Sequence, residues 1–238
     1  MDRNTIRLAF ITSLPVLMGY LAIGIAFGVM LVTIGYNAVW AFIMSLTIYA
    51  GSAQYIAVEL LDTGAKLAQI ALITLFINFR HVVYGISMLE KFRGMGIRKL
   101  YMILSLTDET YALLASAKVP VNIDSKKFYF YLALLNHLYW ISGSVIGAVA
   151  GALIEFNTHG IEFAMTAMFI VIATEQWMNS KIHLSALIGA GGTLLSLAIF
   201  GRDNMLLPAL FIMVLLLFLL HGKLEDNTNS RSKEAAKP

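Results

Sequence analysis

The sequence contains no cysteine, which excludes disulfides, thiolate metal centres and a cysteine nucleophile. Charge is also scarce: 13% of the 238 residues are Asp, Glu, Lys or Arg against 59% apolar, and the mean hydropathy is +0.77. So little polar surface cannot cover a water-soluble globule, and the chain reads as an integral membrane protein. No His-Glu-x-x-His, Gly-x-Ser-x-Gly, P-loop or Gly-x-Gly-x-x-Gly pattern occurs, and His81, His137, His159, His183 and His221 lack the spacing of a metal site on a helix. No catalytic residue, metal or cofactor is expected. Any energy coupling must draw on an ion gradient or a separate ATPase. The net charge of +3 gives no nucleic-acid footprint, and the basic residues sit in connections, as membrane topology requires.

What the chain does have is a series of apolar runs near the roughly 20 residues that span hydrocarbon, where barrel strands would alternate over about ten. The expected fold is all-α and polytopic, with about 6 to 8 membrane segments. Residues 8–220 form a single transmembrane domain, and residues 221–238, of mixed charge and no apolar period, form a disordered tail. The run from Leu8 to Val32 is too long for a signal peptide and counts as the first span. Pro15 is expected in its first turns, and Gly19, Gly24 and Gly28 either pack against a neighbouring helix or line a path.

The chain is organised around Leu67–Leu89, which carries Asn78, Arg80 and His81 near its middle. A guanidinium in hydrocarbon costs roughly 2.5–3.5 kcal/mol on insertion scales, so it needs a partner or a wet cavity, or else it snorkels to the headgroups. Helical spacing puts Arg80, His81 and Tyr84 on one flank. Two further segments are polar at depth. Val39–Leu61 contains Tyr49-Ala-Gly-Ser-Ala-Gln54, where Gly51 and Ser52 ease unwinding; the alternative is a continuous helix whose Ser52 and Gln54 bond a neighbour. Leu100–Ala117 is interrupted by Thr107-Asp-Glu-Thr110, and Asp108 and Glu109 are hard to leave facing lipid. Arg80 is expected to pair with one of these acids. His81, Asp108 and Glu109 are the titratable groups suited to proton coupling.

Phe128–Ile154 begins with aromatic residues, Tyr129, Tyr131, Tyr139 and Trp140, that suit an interface, continues through Asn136 and His137, and ends in a small-residue face of Gly143, Gly147 and Gly151. An echo between Met44–Tyr55 and Met165–Trp177 suggests two three-span repeats. About eight full crossings would put the basic Lys91–Lys99 loop outside; broken or re-entrant segments at Gly51-Ser52 and Asp108-Glu109 bring every basic cluster inside, with both termini cytoplasmic.

Pro15 with Gly19-Tyr20, Gly24-Ile-Ala-Phe-Gly28, Tyr49-Ala-Gly-Ser-Ala-Gln54, Asn78-Phe-Arg-His81 with Tyr84, and Thr107-Asp-Glu-Thr110 together resemble the AzlC-like family, the large subunits of bacterial branched-chain amino acid exporters, from Leu8 to about Leu220. The resemblance implies proton-driven efflux of leucine, isoleucine, valine and often methionine across the cytoplasmic membrane, with a small AzlD-like membrane subunit as partner. It supplies no set of substrate ligands. Chemistry suggests Gly51, Ser52, Gln54, Asn78 and Arg80 for the zwitterionic end of the amino acid, and Tyr20, Phe27 or Tyr55 for its apolar side chain. A channel, or an exporter of another small solute, is the alternative.

Overall fold

In a computed structural model of the chain, residues 2–153, 170, 173–174, 177–178 and 183–219 are described. They fall in two compact units, Met1–Met168 and Phe169–Pro238. The expected echo over Met165–Trp177, with Glu175 and Gln176, and the tail beyond residue 219 lie largely or wholly outside the described residues.

The first unit runs α1 (Asp2–Thr33), α2 (Ala38–Thr47), α3 (Gly51–Asp62), α4 (Leu67–Met88), α5 (Arg98–Leu104), α6 (Asp108–Ser116) and α7 (Ser125–Leu153). The second contains α8 (Leu184–Asn204), interrupted at Gly201, and α9 (Leu206–Leu219). No strand occurs among the described residues. Among the described residues three helices, Arg3–Thr33 within α1, α4 and α7, are long and apolar enough to cross a membrane. The fold is that of a polytopic helical membrane protein.

Local chemistry sets the joints. α1 stops at Gly35, whose φ of 92° only glycine adopts freely; the N–H groups of Tyr36 and Gly35 close back on Leu31 and Val32 at 3.2 and 2.9 Å. Two residues later Asn37 starts α2 by accepting from the N–H groups of Val39 and Trp40. Gly64 ends α3 in the same way, with Ala65 bonded to Leu60 at 2.9 Å and Gly64 to Leu61 at 3.2 Å.

α1 and α7 form the central seam. A methyl group on Gly28 would lie 2.1 Å from the Ser144 carbonyl oxygen, and one on Gly147 would lie 2.1 Å from that of Ile25. Only hydrogen fits at these crossings, so the small-residue face of α7 is a packing face and Gly24 and Gly28 are its counterparts. Gly19 meets open space. Two expectations are corrected here. α1 begins at Asp2, so Pro15 lies in its interior rather than its first turns, and the Ile11 carbonyl loses its helical donor there. Tyr129, Tyr139 and Trp140 are buried rather than interfacial, because α7 is enclosed by α1, α2, α5 and α6.

Both polar segments are broken helices. Between α2 and α3 the chain leaves helical geometry at Tyr49, whose φ of 42° is left-handed, and Ala50 is extended. A non-glycine residue there costs roughly 1–2 kcal/mol, so the surroundings must hold it. Tyr49 stacks on His137 at 4.0 Å between ring centres. Between α5 and α6 the break spans Ser105–Thr107, and extended Thr107 caps α6 by accepting from the N–H of Thr110 at 3.2 Å.

Candidate functional site

The two breaks aim their following helices at one side chain. Arg80, on α4, donates from one terminal nitrogen to the Ser52 hydroxyl at 2.5 Å and from the other to Asp108 Oδ2 at 2.7 Å. Ser52 is the second residue of α3 and Asp108 the first of α6, so the guanidinium ties the starts of both half-helices together. A cation at two helix N-termini is held against both dipoles, and the Asp108 carboxylate is what offsets it. The second carboxylate oxygen, Oδ1, accepts from the Tyr84 hydroxyl at 2.6 Å, one turn along α4 from Arg80. Arg80 and Asp108 keep 26% and 31% of their side-chain surface exposed. Arg80 Nε is enclosed and has no partner.

Glu109 points elsewhere. Its Oε2 accepts from the Tyr20 hydroxyl at 2.8 Å, and Tyr20 also lies 2.5 Å from Thr107 Oγ1. The adjacent acids are about 100° apart around α6 and therefore serve α4 and α1 respectively.

α7 holds both breaks in place. The Trp140 indole N–H donates to Gln54 Oε1 at 2.9 Å, and Gln54 Nε2 donates to Ser45 Oγ at 3.3 Å. His137 Nε2 lies 3.1 Å from the Ser45 carbonyl and Nδ1 lies 3.1 Å from the Tyr101 hydroxyl. A carbonyl only accepts, so the neutral ring carries its proton on Nε2 and takes the Tyr101 hydroxyl proton at Nδ1. Asn136 Nδ2 donates to Thr110 Oγ1 at 3.0 Å. Three α7 side chains within two turns thus bond α2, α3, α5 and α6.

The residues expected from sequence separate into groups. Gly51, Ser52, Arg80 and Asp108 lie at the junction of the half-helices, with the Trp140 ring 3.2 Å from where a Gly51 methyl group would stand. His81 is next to this junction, its ring 6.1 Å from that of Tyr84. Glu109 and Tyr20 form the neighbouring pair. Gln54 is fully buried in the α7 linkage, bonding a neighbour as was expected of it in a continuous helix, although the helix is broken. Asn78 lies about 200° around α4 from Arg80, outside this network, and its amide oxygen has no partner. Phe27 and Tyr55 are buried in an aromatic cluster with Trp140, and the Tyr55 hydroxyl donates to the Ile23 carbonyl at 2.6 Å. Thr107, Thr110, Asn136 and Trp140 were visible in the sequence as polar or aromatic residues within apolar runs, but that signal does not identify partners and none of them was assigned to the site. No cluster of three or more His, Asp or Glu suited to a metal occurs among the described residues.

Residues 15–154 match the family described as AzlC protein. The chain is 42% identical to the branched-chain amino acid transport protein AzlC of Bacillus subtilis strain 168, over 92% of this chain and 86% of that one. It is 42% identical to an uncharacterized membrane protein of Helicobacter pylori strain 26695, over 91% and 95% of the two chains. It is 30% identical to the inner membrane protein YgaZ of Escherichia coli K12, over 79% and 81%. No solved structure matches. A family match over more than half the chain, together with a relative alike over nearly its whole length, makes this chain a member of the AzlC family.

Proposed function

We propose that the protein transports branched-chain amino acids, exporting leucine, isoleucine and valine, with methionine, from the bacterial cytoplasm through the inner membrane. The relative named as a branched-chain amino acid transport protein supports the substrate class, and the one named as an inner membrane protein supports the location. Export is driven by protons. The chain acts as the large subunit beside a small AzlD-like membrane partner, with both termini cytoplasmic.

The observation that carries this reading is Arg80 held between the starts of α3 and α6 by Ser52 and Asp108. An amino acid offers a carboxylate and an ammonium. Arg80 and the first N–H groups of α3, which Ala50 does not cap with a side chain, suit the carboxylate, and Asp108 suits the ammonium. Protonation of Asp108 weakens its hold on Arg80 and frees the guanidinium for substrate. Proton and substrate then bias the same two-state element, as coupled transport requires. His81 and Glu109 are the neighbouring titratable groups. Once the α2–α3 break opens, Tyr20, Phe27 and Tyr55 give the apolar side chain a surface to rest on.

Efflux of radiolabelled leucine from loaded cells tests the proposal, with and without an uncoupler, and with the small partner present or omitted. Efflux should require both the partner and the proton gradient. Efflux indifferent to the uncoupler would favour a channel, and none of the three amino acids moving would remove the substrate class.

A further inference from the structure

The two basic connections of the first unit meet on one flank of α7. Residues 90–99 and 118–127 hold seven basic side chains against two acidic ones, Glu90 and Asp124. The charge bias of membrane loops accounts for the side of the bilayer they share, but not for their joining. Gly94 and Gly96, with φ of 76° and 59°, turn the first loop so that the Gly94 carbonyl accepts from Lys126 Nζ at 3.4 Å. The Arg98 guanidinium lies over the Phe130 ring, 5.3 Å from its centre. Lys126 and Phe130 are one turn apart on α7, so the two cations are stationed about 6 Å apart along it.

The charges around them are already engaged. Lys91 is turned inward, donating to the Leu114 carbonyl with its ammonium over the Tyr129 ring, and fastens the loop to α6. Arg93 is paired with Glu90 at 3.3 Å. Asp124 caps α7, its Oδ1 accepting from the N–H groups of Lys126 and Lys127 at 3.0 and 3.2 Å. Arg98 and Lys126 are exposed, and a single phosphate with N–H···O contacts of about 2.8 Å to each fits between them.

Beside this pair the surface turns apolar. Ile97, just before α5, and Leu100 and Leu104 within it are exposed at i, i+3 and i+7, Ile97 to 90%, while Met102 is buried in the core with Phe128 and Leu132. Lys126 stands in the first turn of α7, a helix long enough to cross the membrane, so the two cations lie at a headgroup layer. From that layer α5 leads its apolar face towards the break before Asp108.

We propose that Arg98 and Lys126 hold the phosphate of an anionic phospholipid, of the phosphatidylglycerol kind, whose acyl chain lies along Ile97, Leu100 and Leu104. A soluble phosphate compound would satisfy the cations and leave the apolar face bare, whereas a chain-bearing one meets both. The excess of basic residues selects a headgroup without an ammonium, because choline or ethanolamine would be repelled. The lipid steadies α5 from outside: Tyr101 in the same helix bonds His137, and Ser105 at its end begins the α5–α6 break. The assignment does not depend on the transport reading.

Native mass spectrometry of the purified full chain, with dioleoyl phosphatidylglycerol or dioleoyl phosphatidylcholine added to the detergent, tests it by the number and relative affinity of bound lipids. Wild type should take up one phosphatidylglycerol in preference to phosphatidylcholine. Arg98→Gln and Lys126→Gln should each lower that preference about fivefold, the worth of one basic residue at a membrane surface. Lys66→Gln, the same charge removed at the other end of α4, should leave it unchanged. If Arg98→Gln does not fold, Lys126→Gln at the exposed start of α7 keeps the comparison usable. Glycerol phosphate, the headgroup without chains, should not displace the lipid; displacement would make this a site for a soluble anion and overturn the proposal. So would equal binding of the two lipids by wild type, a preference that Lys66→Gln lowers as far as the other two do, or a dimer that replaces the lipid and is dissociated by the same substitutions.

Discussion

Arg80 was legible as a site residue because a guanidinium within an apolar run needs a partner or a wet cavity unless it snorkels, and the adjacent acids Asp108 and Glu109 interrupt another apolar run. Which acid it takes was not legible, since that depends on how α6 is rotated against α4. The pair makes a specific prediction. Arg80→Gln or Asp108→Asn alone leaves one charge without its partner and should cost about 2–4 kcal/mol, reduced in proportion to the exposure that remains. The double variant should lose at least 1 kcal/mol less than the sum of the two, by thermal unfolding in detergent at matched expression. Tyr84 was seen only as a member of the same flank. Its hydrogen bond to Asp108 Oδ1 predicts that Tyr84→Phe lowers stability by about 1 kcal/mol, by thermal unfolding, and reduces leucine efflux.

Two short polar insertions broke helices that composition alone would have run through. Thr107-Asp-Glu-Thr110 reads as a helix start, a capping threonine followed by acids in the first turn, and α6 begins there. Tyr49-Ala-Gly-Ser was expected to unwind at Gly51 and Ser52, and the break falls one to three residues earlier because Tyr49 is held in its left-handed conformation by His137. The α7 linkage was illegible for a plain reason: its partners are more than 25 residues away in sequence. It predicts that Gln54→Leu, which leaves the Trp140 N–H without an acceptor, costs about 2 kcal/mol of stability. A substrate ligand would instead show a raised KM at unchanged stability. The α1–α7 seam gives a sharper contrast. Gly28→Ala forces two backbones apart and should cost about 3 kcal/mol or prevent folding, whereas Gly19→Ala, which meets nothing within 4 Å, should be neutral, by size-exclusion thermal-stability assay.

On the larger scale of the first compact unit, the architecture is a fixed frame around two interrupted helices. α1 and α7 are locked together by glycine contacts, α7 fastens both breaks, and α4, most of whose surface is exposed, brings the Arg80 guanidinium to where the half-helices start. An exposed apolar α4 is what a lipid-facing helix requires, and the composition already demanded a bilayer. The central claim is that Asp108 carries the coupling proton while Arg80 binds the substrate carboxylate. The direct measurement uses the protein with its small partner in liposomes, comparing labelled-leucine counterflow with accumulation driven by an imposed proton gradient. Wild type should do both, Arg80→Gln neither, and Asp108→Asn should retain counterflow at a raised KM, its ammonium contact now being to a neutral amide, while losing gradient-driven accumulation. Asp108→Asn that accumulates leucine as wild type does, with the uncoupler still abolishing it, would contradict the account.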